Sequence, residues 1–160
     1  MSQTTFVAEP GVPQFIVTRR FSAAPDLVFR AHIEPRLLER WLGPKTLSMT
    51  VDVLEPHHGG RWRYRHRDGH GNEYVFHGLY HGTPSAAGIV QTYEFDRQPG
   101  VIYLNTIHFD PAETGTVLRQ NTVFQTVADR DGYIDGGAES GYGQSMERLE
   151  NLLTTMMEQS

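Results

Sequence analysis

The chain has 160 residues, with 14 Lys or Arg against 19 Asp or Glu and no cysteine. That length suits a single buried core, and a net charge of −5 argues against a general nucleic-acid binder, whose phosphate affinity needs clustered cations. Without cysteine there is no disulfide, thiolate metal ligand or thiol nucleophile, and the cytoplasm is the expected compartment.

Residues 1–13, MSQTTFVAEPGVP, are polar and carry Pro and Gly without an apolar leader, so they read as a flexible N-terminal tail to one domain over 14–157. No run approaches the ~20 apolar residues of a membrane span. QFIVTRRF (14–21) alternates Phe15, Val17 and Arg19 against Ile16, Thr18 and Arg20, the pattern of a strand. SAAPDLVFRAHIEP follows, with Pro25 fit for a first helical turn, Asp26 one turn before Arg30, and an apolar stripe through Leu27, Val28 and Ala31. Pro35 restarts the chain as a second short helix, PRLLERWL, which Gly43-Pro44 stops.

Six strand-like segments come next: LSMTVDVLE, GRWRYRHR, NEYVFHGLYH, GIVQTYEFD, VIYLNTIHFD and TVLRQNTVFQTV. Turn-forming clusters divide them at hairpin spacing, which predicts an antiparallel meander. The period then changes. Tyr142, Met146, Leu149, Leu153 and Met156 recur every three to four residues, so 139–157 reads as an amphipathic helix, preceded by a broken turn at Gly136-Gly137. The expected fold class is α+β: a curved antiparallel sheet of about seven strands gripping one long C-terminal helix, with two short helices after strand one.

The segment RWRYRHRDGHGNEYVFHG (61–78) carries its own register. Arg61, Arg63, Arg65 and Arg67 share one face, and Trp62, Tyr64 and His66 the other. Four unpaired arginines cannot all be buried, so they face water and the aromatics face inward. A Gly69-His70-Gly71 loop with Gly71 in the left-handed region sets Asp68 opposite Asn72, His66 opposite Tyr74, Tyr64 opposite Phe76 and Trp62 opposite Gly78. The histidines do not make a metal site. His77 and His81 share a face but stand about 13 Å apart along a strand, whereas zinc ligands converge at about 2.0–2.1 Å. The arginine row is chiefly a solvated face that discourages edge pairing; single-stranded nucleic acid would need aromatics on that same face.

FSAAPDLVFRAHIEPRLLERWLGP, then EPHHGGRWRY, DGHGNEYVFHGLY, TGTVL and GYGQSMERLENLL resemble, in this order, the family homologous to activators of the heat-shock protein 90 ATPase, in the START-like, Bet v 1-like (SRPBCC) superfamily. The resemblance spans about 14–157. Its matching positions are Phe21, Pro25, Val28, Phe29, Pro35, Trp41, Gly43, Pro44, Gly59, Gly60, Trp62, Gly69, Gly78 and Leu149, mostly bends and packing residues. It implies a helix-grip fold with a cavity between sheet and helix, and no universal catalytic residue. Family members include stress-related proteins, small-molecule binders and relatives of polyketide cyclases. The eukaryotic co-chaperone resembles this chain only through its C-terminal domain, so ATPase activation is not expected.

Three functions follow as expectations. The first is binding of a hydrophobic or aromatic small molecule, lined by Phe29 and Trp41 from the helices, Trp62, Tyr64, His66, Tyr74, Phe76, Tyr93 and Phe95 from the strands, and Tyr142 and Met146 from the last helix. The second is a cyclase or dehydratase on a polyketide-like or aromatic substrate, with His66 as the best candidate for proton transfer and Tyr64, Tyr74 and Tyr93 as donors. The third is a chaperone partner or homodimer, which no residue pattern favours. There is no P-loop, no G-x-S-x-G elbow and no dinucleotide fingerprint, so no nucleotide cofactor is expected.

Overall fold

The computed structural model describes residues 3–159. Its strands are β1 (Thr5–Val7), β2 (Gln14–Phe21), β3 (Ser48–Leu54), β4 (Arg61–Arg67), β5 (Glu73–Leu79), β6 (Gly88–Phe95), β7 (Ile102–Pro111) and β8 (Thr116–Phe124). They form one antiparallel sheet in the order β1-β2-β8-β7-β6-β5-β4-β3. From β3 to β8 each strand pairs with the next in sequence, the expected meander, and β2 closes on β8.

Among the described residues, four helices complete the fold: α1 (Pro25–Ile33), α2 (Pro35–Leu38), α3 (Val127–Asp135) and α4 (Ala138–Glu158). α1 starts on Pro25 with Asp26 in its first turn, and it stops at Glu34, which the following Pro35 holds in an extended conformation. α4 buries Met146, Leu149, Leu152, Leu153 and Met156 against the inner face of the sheet. This stripe packs with Phe21, Trp62, Phe109 and Leu118 from the strands and Val28, Leu38 and Trp41 from α1 and the segment after it. Each large side chain so buried contributes about 1.5–3 kcal/mol. The architecture is the expected helix grip, and no helix among the described residues is long and apolar enough to cross a membrane.

The β4–β5 register is the one read from the sequence: His66 faces Tyr74, Tyr64 faces Phe76, Trp62 faces Gly78 and Arg67 faces Glu73. The Asp68 N–H donates to the Asn72 carbonyl at 3.1 Å, and Gly71 has φ +84°. Opposite Trp62, Gly78 clears room as expected, since a Cβ there would stand 3.0 Å from the indole. The same Cβ would stand 1.7 Å from the Thr92 carbonyl oxygen, so β5 and β6 cross at a distance only glycine permits. Outside, Asp52 takes ion pairs from Arg63 (2.8 Å) and Arg65 (2.7 Å), and Glu73 takes one from Arg67.

Three expectations are corrected. Thr5–Val7, inside the supposed flexible tail, is a strand: Phe6 pairs with Val17 and stacks on Phe15 at 4.8 Å, and that burial fixes it. Among the described residues the sheet therefore has eight strands, against the about seven expected. The second short helix ends at Leu38, with turns carrying the chain to Gly43. β8 stops at Phe124, and the supposed turn before the last helix is α3, whose first turn is capped where Asp129 N–H donates to the Thr126 hydroxyl at 3.0 Å.

Candidate functional site

Between the sheet, α3, the N-terminal part of α4 and the loop after α2 lies a solvent-open cavity of about 610 Å³. Strand alternation aims Tyr64 and His66 of β4, Tyr74 and Phe76 of β5, and Tyr93 and Phe95 of β6 into it. Tyr142 of α4 faces them from the helix side. These seven are all candidates from the sequence.

The other four candidates are packed elsewhere. Phe29 lies against Phe109 at 6.2 Å, under α1. Trp41 is buried, its indole N–H donating to the Ala31 carbonyl at 2.8 Å. Met146 sits in the main core one α4 turn beyond Tyr142, where helix and sheet have closed on each other. Trp62 is also core, and its ring lies against Tyr64 (4.4 Å) and Tyr93 (4.2 Å), behind the cavity wall they form.

Several lining residues were not read from the sequence. Tyr103 follows from the alternation of β7, which also turns Asn105, Ile107 and Phe109 inward. Tyr133 was hidden with α3; the signal available was Thr126 followed three residues later by Asp129, a capping pattern. Leu42 to Leu47 form a rim whose docking depends on long-range partners. Gly43 N–H donates to the Ser145 hydroxyl at 2.7 Å, Lys45 N–H to Gln144 Oε1 at 2.8 Å, and Arg148 to the Gly43 carbonyl at 2.8 Å. Ser145 Oγ donates in turn to the Trp41 carbonyl, so this hydroxyl is committed to the rim and is no free nucleophile.

Between Tyr133 and Tyr142 the helix side carries little side-chain bulk. Gly132, Gly136, Gly137 and Gly141 all line the cavity, and at Gly132, Gly137 and Gly141 an added Cβ would meet nothing within 4 Å. α3 is held over this end by Arg130, which is buried and donates to the carbonyls of Glu9 (2.6 Å) and Gln14 (3.2 Å).

The chemistry of the lining is aromatic with neutral polar tips. Burial pushes the hydroxyls of Tyr64, Tyr93, Tyr103, Tyr133 and Tyr142 upward from the ordinary phenol value, so they stay protonated. Gln120 Nε2 donates to the Tyr142 hydroxyl at 2.8 Å. His66 is lowered to about 4 by burial and secondarily by the nearby Arg148 cation, so its imidazole is neutral at pH 7. Among the described residues, Asp68 is the one charged side chain of the lining, and its oxygens accept from His70 N–H, Asn72 N–H and the Asn72 amide.

The remaining histidines take no part in the cavity. His32 is buried against Trp41 and Phe109 and donates to the Val28 carbonyl at 2.7 Å. His77 lies outside, 3.0 Å from Asp96. Among the described residues, no three His, Asp or Glu side chains are grouped to hold a metal ion.

Residues 22–154 match the family described as activator of Hsp90 ATPase homolog 1-like protein. The chain belongs to that family. Its fold is commonly a ligand-binding one. No curated protein matches the sequence. Among solved structures, a Rhodobacter sphaeroides protein is similar with TM-score 0.87 and 24% identity, covering 96% of this chain and 99% of that one. An Arthrobacter aurescens protein has TM-score 0.86 at 20% identity, covering 94% and 91%. A Silicibacter pomeroyi protein, described by the same family name, has TM-score 0.75 at 20% identity, covering 89% and 99%. At these identities the structural likeness speaks for the fold; the family assignment rests on the sequence match.

Proposed function

We propose that this protein binds a hydrophobic or aromatic small molecule in the cavity between the sheet and α4. The observation that carries this reading is a volume of about 610 Å³ walled by aromatic rings on the sheet side and by Tyr133, Tyr142 and intervening glycines on the helix side. It falls within the roughly 300–1,000 Å³ of small-molecule sites, and the tyrosine tips supply the few convergent polar groups such sites use for orientation. Gly141→Phe is the direct test, because its ring would enter the open space while replacing a glycine in a helix. Aromatic probes are expected to raise the Tm of the native protein and to leave that of the variant unchanged. Equal shifts for both proteins would refute the reading.

A second reading is favoured by His66: a neutral imidazole on the cavity wall can exchange hydrogen bonds with a carbonyl substrate, as a cyclase or dehydratase would require. Turnover of an aromatic polyketide-like substrate that persists in His66→Phe would remove this residue from such a mechanism.

A further inference from the structure

We propose that His66 meets the bound molecule as a hydrogen-bond donor through Nε2–H, so that the cavity selects aromatic ligands bearing a neutral acceptor such as a ketone or quinone carbonyl. The proposal rests on the ligand-binding reading above and adds the chemistry of the ligand.

The first observation is which edge of the ring is free. Nδ1 of His66 is buried without a hydrogen-bond partner. Its Nδ1–Cε1 edge is sealed against Gly43, where an added Cβ would stand 3.0 Å from both atoms. His66 nevertheless lines the cavity, so the nitrogen it offers there is Nε2.

The second observation fixes the proton. A neutral imidazole carries one hydrogen, on Nδ1 or on Nε2. Placed on Nδ1, it would be a buried donor with no acceptor, an arrangement proteins avoid more strictly than a bare acceptor. Arg148 adds to this. Its guanidinium donates to the carbonyls of Gly43 (2.8 Å) and Pro44 (3.3 Å), which places a positive charge on the Gly43 side of the ring. That charge favours a lone pair at Nδ1 over an N–H. The hydrogen therefore sits on Nε2 and points into the cavity.

The third observation is what else is present. Among the described residues no lysine or arginine lines the cavity, and the one carboxylate there, Asp68, has its oxygens occupied by the turn it closes. An anionic ligand would lose its water with no cation to replace it. A neutral carbonyl loses less, and it gains the His66 donor together with tyrosine hydroxyls that stay protonated. In this tautomer the ring cannot take a proton from a bound group, so a reaction in this cavity would use His66 to polarise a carbonyl, not as a base.

Two measurements test the proposal. A long-range proton–nitrogen NMR spectrum of the native protein at pH 7, with His66 assigned by its loss in His66→Phe, should give the pattern of an Nε2-protonated ring. Titration with 2-acetylnaphthalene, 2-ethylnaphthalene and 2-naphthoate compares a neutral acceptor, no acceptor and an anion on one ring system. The ketone is expected to bind about tenfold more tightly than the ethyl compound, and the carboxylate most weakly. In His66→Phe the ketone advantage over 2-ethylnaphthalene should fall to near unity, and an unchanged circular dichroism spectrum reports that the variant is folded. An Nδ1-protonated ring, a ketone preference that survives His66→Phe, or tightest binding of 2-naphthoate would each overturn the proposal. If that variant does not fold, the NMR pattern and the order of the three affinities in the native protein decide it. Binding of all three without preference would sink the selectivity alone, and binding of none would sink it together with the ligand-binding reading.

Discussion

The two halves of α4 lie over the same sheet and reach opposite outcomes. From Met146 onward the helix presents Leu149, Leu152, Leu153 and Met156, and helix and sheet close into a solid core with Phe21, Trp62 and Phe109. Before Met146 it presents Ala138, Gly141 and Tyr142, and the space stays open. The strands are no poorer in large side chains at the open end, where Tyr93, Phe95 and Tyr103 stand. Whether this fold is hollow is thus decided by the side chains the helix withholds. Polarity follows the same division: tyrosines, whose hydroxyls need a partner or water, gather at the open end, and leucine and methionine fill the closed one.

Exchanging the character of the two halves should break the comparison. Leu149→Ala, at a fully buried position of the solid end, is expected to cost about 2–5 kcal/mol in denaturant unfolding. Gly141→Phe at the hollow end should cost nothing measurable, because it fills open space and replaces a glycine that weakens the helix. A loss of stability in Gly141→Phe as large as in Leu149→Ala would mean the cavity is not there.

Acid should probe the two ends together, since each buries one histidine. His32 and His66 both have pKa values lowered to about 4, chiefly by burial, whereas an unfolded histidine titrates near 6.5. Between these values the unfolded chain binds protons that the folded one does not, so stability is full above about pH 6.5 and falls as pH drops to about 4. Each ring accounts for up to about 3 kcal/mol at the low end of that window. Urea unfolding at several pH values should follow this slope, and His66→Phe should remove roughly half of it; a flat profile would contradict the burial of both rings. Glu73, held below the usual carboxylate range by its hydrogen bond from Arg67, loses its share only at lower pH.

Smaller effects sharpen the picture at the hairpin. Gly71→Ala places a side chain at φ +84° with room around it, so the expected cost is the backbone strain alone, about 1 kcal/mol. Arg63→Gln on the outer face should change stability by less than about 1 kcal/mol, as half-exposed ion pairs contribute little. A larger loss from Arg63→Gln would make the outer charge row a structural element of the sheet.

The hairpin was legible because two independent signals agree: strict Arg/aromatic alternation on β4 and the D-G-H-G-N turn permit one register. The cavity's strand-borne wall was legible for the same reason, since period two says which side chains point inward. Depth was not. Trp62 and Tyr64 share a face, a strand and the same buried cluster, yet only Tyr64 also reaches the cavity, and period two does not say which of the two will. The roof was least legible. Val127 to Asp135 holds charges and a glycine with little apolar periodicity, and its helix is held by the Thr126 cap and by Arg130. β1 was missed because three residues cannot display alternation; its place is set by Phe6 meeting Phe15.

The reach of Arg130 across to Glu9 and Gln14 ties the segment leading into β2 to α3, which carries part of the cavity lining. Shortening the protein to begin at Gln14, or crowding that stretch with an affinity tag, would remove or disturb the shorter of these two bonds and loosen α3 at a point far along the chain from the cut. Ligand screens are therefore best run with the N-terminal segment intact and any tag placed after α4.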